Sequence, residues 1–131
     1  MNVVFADSFF FLALINRFDP AHARATAFSR DSRDTRLTTA WVMTELADGL
    51  AKNRAQFRRI YNEVLHNPLF RFVPASQELF DAGIKFYNRH EDKDWPLTDC
   101  ISFVVMRDNG LTDALTADHH FEQAGFNALL K

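Results

Sequence analysis

The feature that most constrains this fold is the alternation of short apolar runs, rich in β-branched residues, with longer segments of helical periodicity. The runs cover residues 3–5, 37–39, 70–73 and 114–117, with a further candidate edge strand at 126–130. A helical segment between successive strands is long enough to bring the next strand in parallel to the last. The sequence therefore predicts a layered α/β domain in which helices cover both faces of a parallel sheet.

Capping and turn residues delimit the helical segments. We predict helices over residues 9–16, 20–30, 40–52, 56–66, 76–89, 96–107 and 119–124. Pro20 stands at a first helical position, Ser76 can cap the helix that follows it, and Asn109 with Gly110 closes the segment that opens at Pro96. The apolar residues of segment 40–52 recur every three or four positions, which is typical of one buried helix face.

Length and composition fit one globular domain. A chain of 131 residues is near the commonest domain size, and 47% hydrophobic with 24% charged residues is an ordinary balance for a packed core. The single cysteine, Cys100, cannot form an internal disulfide and fits a reducing compartment. The apolar run at residues 9–15 has no preceding Lys or Arg, and no stretch approaches the roughly 20 apolar residues of a membrane span. We therefore expect a single domain over residues 1–131 in the cytoplasm, without a membrane partner.

The overall charge does not indicate a nucleic-acid binder. The formal net charge is −2 at pH 7, so any contact with RNA has to be local. Two groups of cations are candidates for such a contact: Arg24, Arg30, Arg33 and Arg36 in the first, and Lys52, Arg54, Arg58 and Arg59 in the second. For each group a solvated surface is the preferred interpretation.

Two acidic residues follow predicted strands. Asp7 comes just after the first run, and Asp118 comes just after the run at 114–117. Because the carboxyl ends of parallel strands meet at one edge of the sheet, where ligands bind, we expect these side chains to lie close together. Taken singly, each is more simply interpreted as a helix N-cap.

Glu45 and Asp99 extend this acidic set. Glu45 lies at the border of the apolar face of segment 40–52, where an ordinary surface Glu is the default. Asp99 lies in the first turn of its helix, where the dipole favours a carboxylate and where Thr98 could be the cap. As a set, the four acids could converge on one cleft, and such a cluster is repulsive unless a cation neutralises it. Oxygen ligands without clustered cysteines suit Mg²⁺ or Mn²⁺, whereas the transition-metal alternative at His119 and His120 lacks a second His pair.

Four blocks of sequence resemble those of the PIN-domain family, and in particular of VapC-like toxins of bacterial toxin–antitoxin pairs. The blocks are residues 4–8 (VFADS), 44–46 (TEL), 94–103 (DWPLTDCISF) and 115–121 (LTADHHF). The resemblance implies a three-layer domain whose five-stranded parallel sheet is flanked by helices. Asp7, Glu45, Asp99 and Asp118 match the family's acidic positions. Ser8 and Thr98 look like the family's supporting hydroxyls, and Asp94 is an extra acid near the site that the family pattern does not require.

The function implied by the resemblance is metal-dependent cleavage of RNA. In this hypothesis Asp7, Asp99 and Asp118 hold Mg²⁺ or Mn²⁺ and Glu45 positions a water. The expected partners are the RNA substrate, an antitoxin protein that covers the acidic cleft, and a second copy of the chain in a homodimer. The apolar run Phe9-Phe10-Phe11 exceeds what one helix face buries, so antitoxin contact and core packing are equal alternatives for it.

Two other functions compete with the nuclease. A PIN module that binds RNA or an antitoxin without catalysis would keep the same acids for structure. A doubly wound phosphoacceptor domain would also place an acid at Asp7, but no second acid lies two residues later. The phosphoacceptor is therefore disfavoured, while the binding module stays open.

Overall fold

The computed structural model describes residues 2–131 and contains one sheet flanked by helices. The strands are β1 (Val3–Ala6), β2 (Thr35–Thr39), β3 (Phe70–Val73), β4 (Asp113–Leu115) and β5 (Asn127–Ala128). The helices are α1 (Ser8–Ile15), α2 (His22–Asp31), α3 (Ala40–Gly49), α4 (Arg54–His66), α5 (Gln77–Arg89), α6 (Leu97–Asp108) and α7 (His119–Gln123). All strand pairs are parallel and the order is β3-β2-β1-β4-β5, which confirms the predicted five-stranded α/β architecture.

The helices are short. The longest two, α4 and α5, have 13 residues each. Within residues 2–131, none combines the length and the apolar character that crossing a bilayer requires.

The first strand forms the centre of the sheet. β1 pairs with β2 on one side and with β4 on the other, so both of its edges are hydrogen-bonded within the sheet. Val4, Phe5 and Ala6 are accordingly buried, as a central strand of a parallel sheet requires. Asp7 directly follows this buried strand, so the packing of β1 in the core fixes the backbone position of Asp7.

The second strand carries buried polar side chains that connect neighbouring elements. Arg36 is 3% exposed, so its assignment to a solvated surface was wrong. One terminal nitrogen of its guanidinium donates to the carbonyl oxygens of Phe28 at 3.1 Å and Ser32 at 3.0 Å, at the end of α2. The guanidinium also stacks over the Phe28 ring, 4.8 Å from its centroid. Arg36 therefore satisfies the last carbonyls of a helix, a role for which its fork of donors is well suited.

The phenylalanine run of α1 is divided between core and surface. Phe10 and Phe11 are buried and pack edge to face, with their ring centroids 5.3 Å apart. Phe9 is only partly buried. Core packing thus accounts for two of the three rings, and contact with a partner remains a prediction for Phe9 alone.

Three predicted boundaries differ from the structure. α2 begins at His22 rather than at Pro20 because Asp19 forms a turn, accepting from the Ala21 amide with its side chain at 2.8 Å. α3 ends at Gly49, three residues earlier than predicted. β4 ends at Leu115 because the Thr116 amide bonds back to the Ala114 carbonyl at 3.0 Å, which turns the chain away from the sheet.

A close helix–helix contact holds α6 in place. A Cβ added at Gly83 of α5 would lie 2.3 Å from Cγ1 of Ile101 in α6, far inside van der Waals contact. Both residues are buried. Glycine therefore permits the close approach of the helix that carries Asp99.

Candidate active site

Asp7 lies at the end of β1 and occupies the N-cap position of α1, as its place after a strand predicted. Its side chain, however, makes no capping hydrogen bond to the first turn of that helix. Its Oδ2 instead accepts a hydrogen bond from the hydroxyl of Thr116 at 3.0 Å. Asp7 is 4% exposed, so its carboxylate is largely shielded from solvent. Its hydrogen-bond partner Thr116 comes just after β4 in the chain.

Asp118 is a helix cap, as its position after a strand predicted. Its Oδ1 accepts from the His120 amide at 2.9 Å, at the start of α7. The amide of Asp118 in turn donates to Oγ1 of Thr116 at 3.1 Å. The Thr116 hydroxyl thus connects Asp7 to the backbone of Asp118 across the ends of two neighbouring strands. Sequence reasoning missed Thr116, and its only signal was its place two residues before Asp118.

Glu45 projects from α3 toward the start of α1. It is half-buried between exposed Thr44 and buried Leu46, at the border of the apolar face as predicted. The Ser8 hydroxyl donates a hydrogen bond to Oε1 of Glu45. Ser8 therefore joins the residue after Asp7 to the third acid of the set.

Asp99 lies in the first turn of α6 and is 5% exposed. The N-cap of that helix is Pro96, so the expectation that Thr98 caps it was wrong. Nδ1 of His120 lies 3.0 Å from Oδ2 of Asp99 and 3.4 Å from Oδ1 of Asp118. The His120 ring thus connects the acid on α6 with the acid before α7, a contact that sequence reasoning also missed.

Burial and mutual repulsion perturb two of the acids. Burial, followed by the charges of Asp99 and Glu45, raises the pKa of Asp7 to about 7, although its hydrogen bond from Thr116 acts in the opposite direction. Burial, followed by the charges of Asp118 and Glu45, raises the pKa of Asp99 to about 7 as well. The four acids therefore act on one another, and at neutral pH their full ionisation is unfavourable without a compensating cation.

Two residues predicted to support the site are not joined to this network. Asp94 is exposed in the segment between α5 and α6, and within the described chain it makes no hydrogen bond or ion pair. It is not among the charges that raise the pKa of Asp7 or of Asp99. Thr98 is partly buried. Its carbonyl oxygen, rather than its hydroxyl, is hydrogen-bonded, and the donor is the Ser102 hydroxyl at 3.1 Å.

The donor set fits a hard divalent cation. Four converging carboxylates, two of them with raised pKa values, match the oxygen ligands that Mg²⁺ and Mn²⁺ prefer. Among the described residues, three potential ligand atoms lie within 4.8 Å of one another only in the set Asp118, His119 and His120. The His119 side chain is 68% exposed and Nδ1 of His120 already contacts Asp99, so this second set is a weaker candidate.

The chain is similar to a known protein family and to individual members of it. The model of the family described as PIN domain matches residues 4–127. Among curated proteins, the 23S rRNA-specific endonuclease VapC20 of Mycobacterium tuberculosis, in strains CDC 1551 and H37Rv, is 24% identical over 125 residues, which cover 95% of each chain.

Two solved structures share the fold. The crystal structure of Mycobacterium tuberculosis VapC20, described as a Sarcin-Ricin loop cleaving toxin, superposes with a TM-score of 0.80 at 23% identity, over 94% of this chain and 95% of that one. FitAcB from Neisseria gonorrhoeae superposes with a TM-score of 0.64 at 16% identity, over 95% of this chain and 94% of that one. At these identities, the structures bear on the fold alone.

Proposed function

The chain belongs to the PIN-domain family, and from this membership and its acidic site we propose that it is a metal-dependent endoribonuclease, the toxin of a toxin–antitoxin pair. The observation that carries the proposal is the convergence of Asp7, Glu45, Asp99 and Asp118 with two pKa values raised to about 7. A protein with no use for these charges would gain stability by replacing them with neutral residues. The curated relative named as an rRNA endonuclease supports cleavage of RNA as the reaction.

The roles of the acids follow from their partners. We assign Asp7, Asp99 and Asp118 to holding Mg²⁺ or Mn²⁺, because Asp7 and Asp99 are buried and repelled and Asp118 acts on Asp99. We assign Glu45, which is half-buried and accepts a hydrogen bond from Ser8, to orienting a water. A divalent cation bound here would supply Lewis acidity, which makes water a stronger acid and offsets charge on the phosphate.

The surrounding residues hold the acids in position. The Thr116 hydroxyl donates to Oδ2 of Asp7, and the Ser8 hydroxyl donates to Oε1 of Glu45. Each hydrogen bond limits rotation of the carboxylate that accepts it. Nδ1 of His120 lies against Asp99, which limits rotation of that carboxylate. Such supporting contacts leave the acids little freedom to reorganise when substrate binds.

The decisive experiment is cleavage of labelled RNA by the purified protein in Mg²⁺ or Mn²⁺, with EDTA and Asp99→Asn alongside. We expect cleavage that disappears in EDTA and falls by at least about a hundredfold in the variant. Asp94→Asn, the loss of an exposed acid outside the network, is the matched control and should cleave normally. RNA that is bound but uncut in every lane would refute the nuclease and favour the binding module.

The partners belong to the same proposal. An antitoxin that covers the acidic cleft, a homodimer, a single domain and a cytoplasmic location are all parts of it, supported by the resemblance to VapC-like toxins. An antitoxin that seats an arginine among the four carboxylates would replace the cation's charge. Co-expression with the protein encoded by the neighbouring reading frame should then abolish RNA cleavage.

A further inference from the structure

A groove opens beside the acidic network on the same edge of the sheet. Its volume is about 660 Å³, and we call it the edge groove; its walls include Phe9, Pro20, Arg24, Ala117, Leu130 and Lys131. Phe9 directly follows Ser8, and Ala117 lies between Thr116 and Asp118. The chain segments that hold two of the acids therefore also form a wall of the groove.

The edge groove combines apolar surface with cations. Phe9 and Ala117 are each partly buried and contribute apolar surface. Arg24 is exposed, and no acid of the described chain lies within ion-pair distance of it. The Lys131 ammonium lies 2.7 Å from Glu122, and Asp19, which also lines the groove, bonds to the Ala21 amide. The guanidinium of Arg24 is thus the charge left available to a ligand.

Two other cavities fit such a ligand less well. The cavity beside Phe10 and Arg36 has a volume of about 110 Å³, and it opens where β2 and β3 begin, at the edge of the sheet opposite the acids. The groove beside Arg54 and Arg58 lies between α3 and α4 and contains none of the four acids or their sequence neighbours. Of these three cavities, the edge groove is the one whose walls include sequence neighbours of Asp118 and of Ser8.

We propose that the edge groove binds the nucleotide next to the cleaved phosphodiester of a single-stranded or looped RNA. In this arrangement the base lies against Phe9 and Ala117, and its phosphate is bound by Arg24. Unstacked bases bind well to aromatic and apolar surfaces, and arginine pairs with phosphate in a bidentate manner. The inference rests on the proposed nuclease function and identifies residues that would determine the cleavage-site specificity.

The first test measures RNA binding without cleavage. Fluorescence anisotropy with a labelled RNA in EDTA compares the wild-type chain with Arg24→Ala and with Arg33→Ala. Arg33 is an exposed arginine just before β2, at the opposite edge of the sheet, and so is a matched control for loss of one charge. We expect Arg24→Ala to bind about tenfold more weakly and to reduce the salt dependence by about one phosphate contact, while Arg33→Ala stays within about twofold of wild type.

The second test asks whether Phe9 meets a base. Single abasic sites are placed in turn on either side of the cleaved bond, and kcat/KM is measured for the wild type and for Phe9→Leu, which keeps the apolar volume but loses the ring. We expect one abasic position to slow the wild type about tenfold and to have little further effect in Phe9→Leu, because the two changes remove one contact. Thermal unfolding of Phe9→Leu checks that the variant is folded.

The outcomes separate this inference from the proposed function. A wild-type chain that neither binds nor cleaves RNA overturns both. Cleavage by the wild type, with Arg24→Ala equal to Arg33→Ala and with every abasic effect unchanged in Phe9→Leu, overturns only the edge groove. Unchanged RNA binding together with an altered oligomeric state of Arg24→Ala would overturn it too, and would assign the groove to contact between copies of the chain.

Discussion

Replacing Asp7 by asparagine should stabilise the metal-free protein at alkaline pH. Asp7 is 4% exposed, and its pKa rises from 3.8 to about 7 because of burial first and the charges of Asp99 and Glu45 next. A carboxyl group whose pKa is raised by folding favours the folded state least when it is ionised. The free energy of unfolding of the wild type therefore falls as pH rises from about 4 to about 7. The Asp7→Asn variant has no such loss at this position, because asparagine does not ionise.

The size of the effect follows from the pKa. A rise of about three units corresponds to about 4 kcal/mol between the protonated and ionised forms, which is an upper bound. Part of the repulsion is shared with Asp99, and asparagine accepts a weaker hydrogen bond from Thr116 than a carboxylate does. We therefore expect a gain of about 2 kcal/mol at pH 8, equivalent to a rise in Tm of about 8 °C for a chain of this length.

The assay is thermal unfolding followed by circular dichroism in EDTA, at pH 4 and at pH 8. Asp7→Asn should melt above the wild type at pH 8 and within about 2 °C of it at pH 4, where the carboxyl group is largely protonated in the folded protein. Asp94→Asn, at an exposed acid, should show neither change. Added Mg²⁺ should raise the Tm of the wild type more than that of Asp7→Asn, since the ion binds the folded state. An Asp7→Asn variant that melts at or below the wild type at pH 8 in EDTA would refute the reasoning.

Two further substitutions test the packing around the site. Gly83→Ala should lower the free energy of unfolding by about 1–3 kcal/mol, because its Cβ would overlap Ile101, whereas Gly49→Ala, which meets nothing within 4 Å, should be neutral or slightly stabilising in the same urea titration. Thr116→Val should cost about 1–3 kcal/mol, because the buried hydroxyl donates to Asp7 and accepts from a backbone amide, and equal urea midpoints for Thr116→Val and the wild type would contradict those two bonds.

The topology and the convergence of the acids were accessible from the sequence for a simple reason. Strand and helix periodicities are local properties, and parallel pairing then brings all strand ends to one edge of the sheet. Asp7 and Asp118 each follow a strand, so their proximity needed no knowledge of side-chain conformation. The element boundaries shifted where local hydrogen bonds intervened, as in the turn made by Asp19 before α2.

The supporting contacts were not accessible in the same way. The Thr116 hydroxyl reaches Asp7 across 109 residues of sequence, and His120 reaches Asp99 across 21. Both bonds depend on rotamers and on how two elements pack, which no spacing in the chain records. Arg36 was missed for another reason: arginine is usually exposed, and only the open carbonyls at the end of α2 make its burial favourable.

The pairing of β1 with β4 also determines when activity can appear during synthesis. The two strands meet with Phe5 opposite Ala114, so the ribosome has made most of the chain before the second edge of β1 finds its partner. Until then Asp7 has neither Thr116 nor Asp118 beside it, and a nascent chain holds its first acid without the last. The order of the strands therefore delays assembly of the acidic set until the segment that carries Thr116 and Asp118 has been synthesised and has paired with β1.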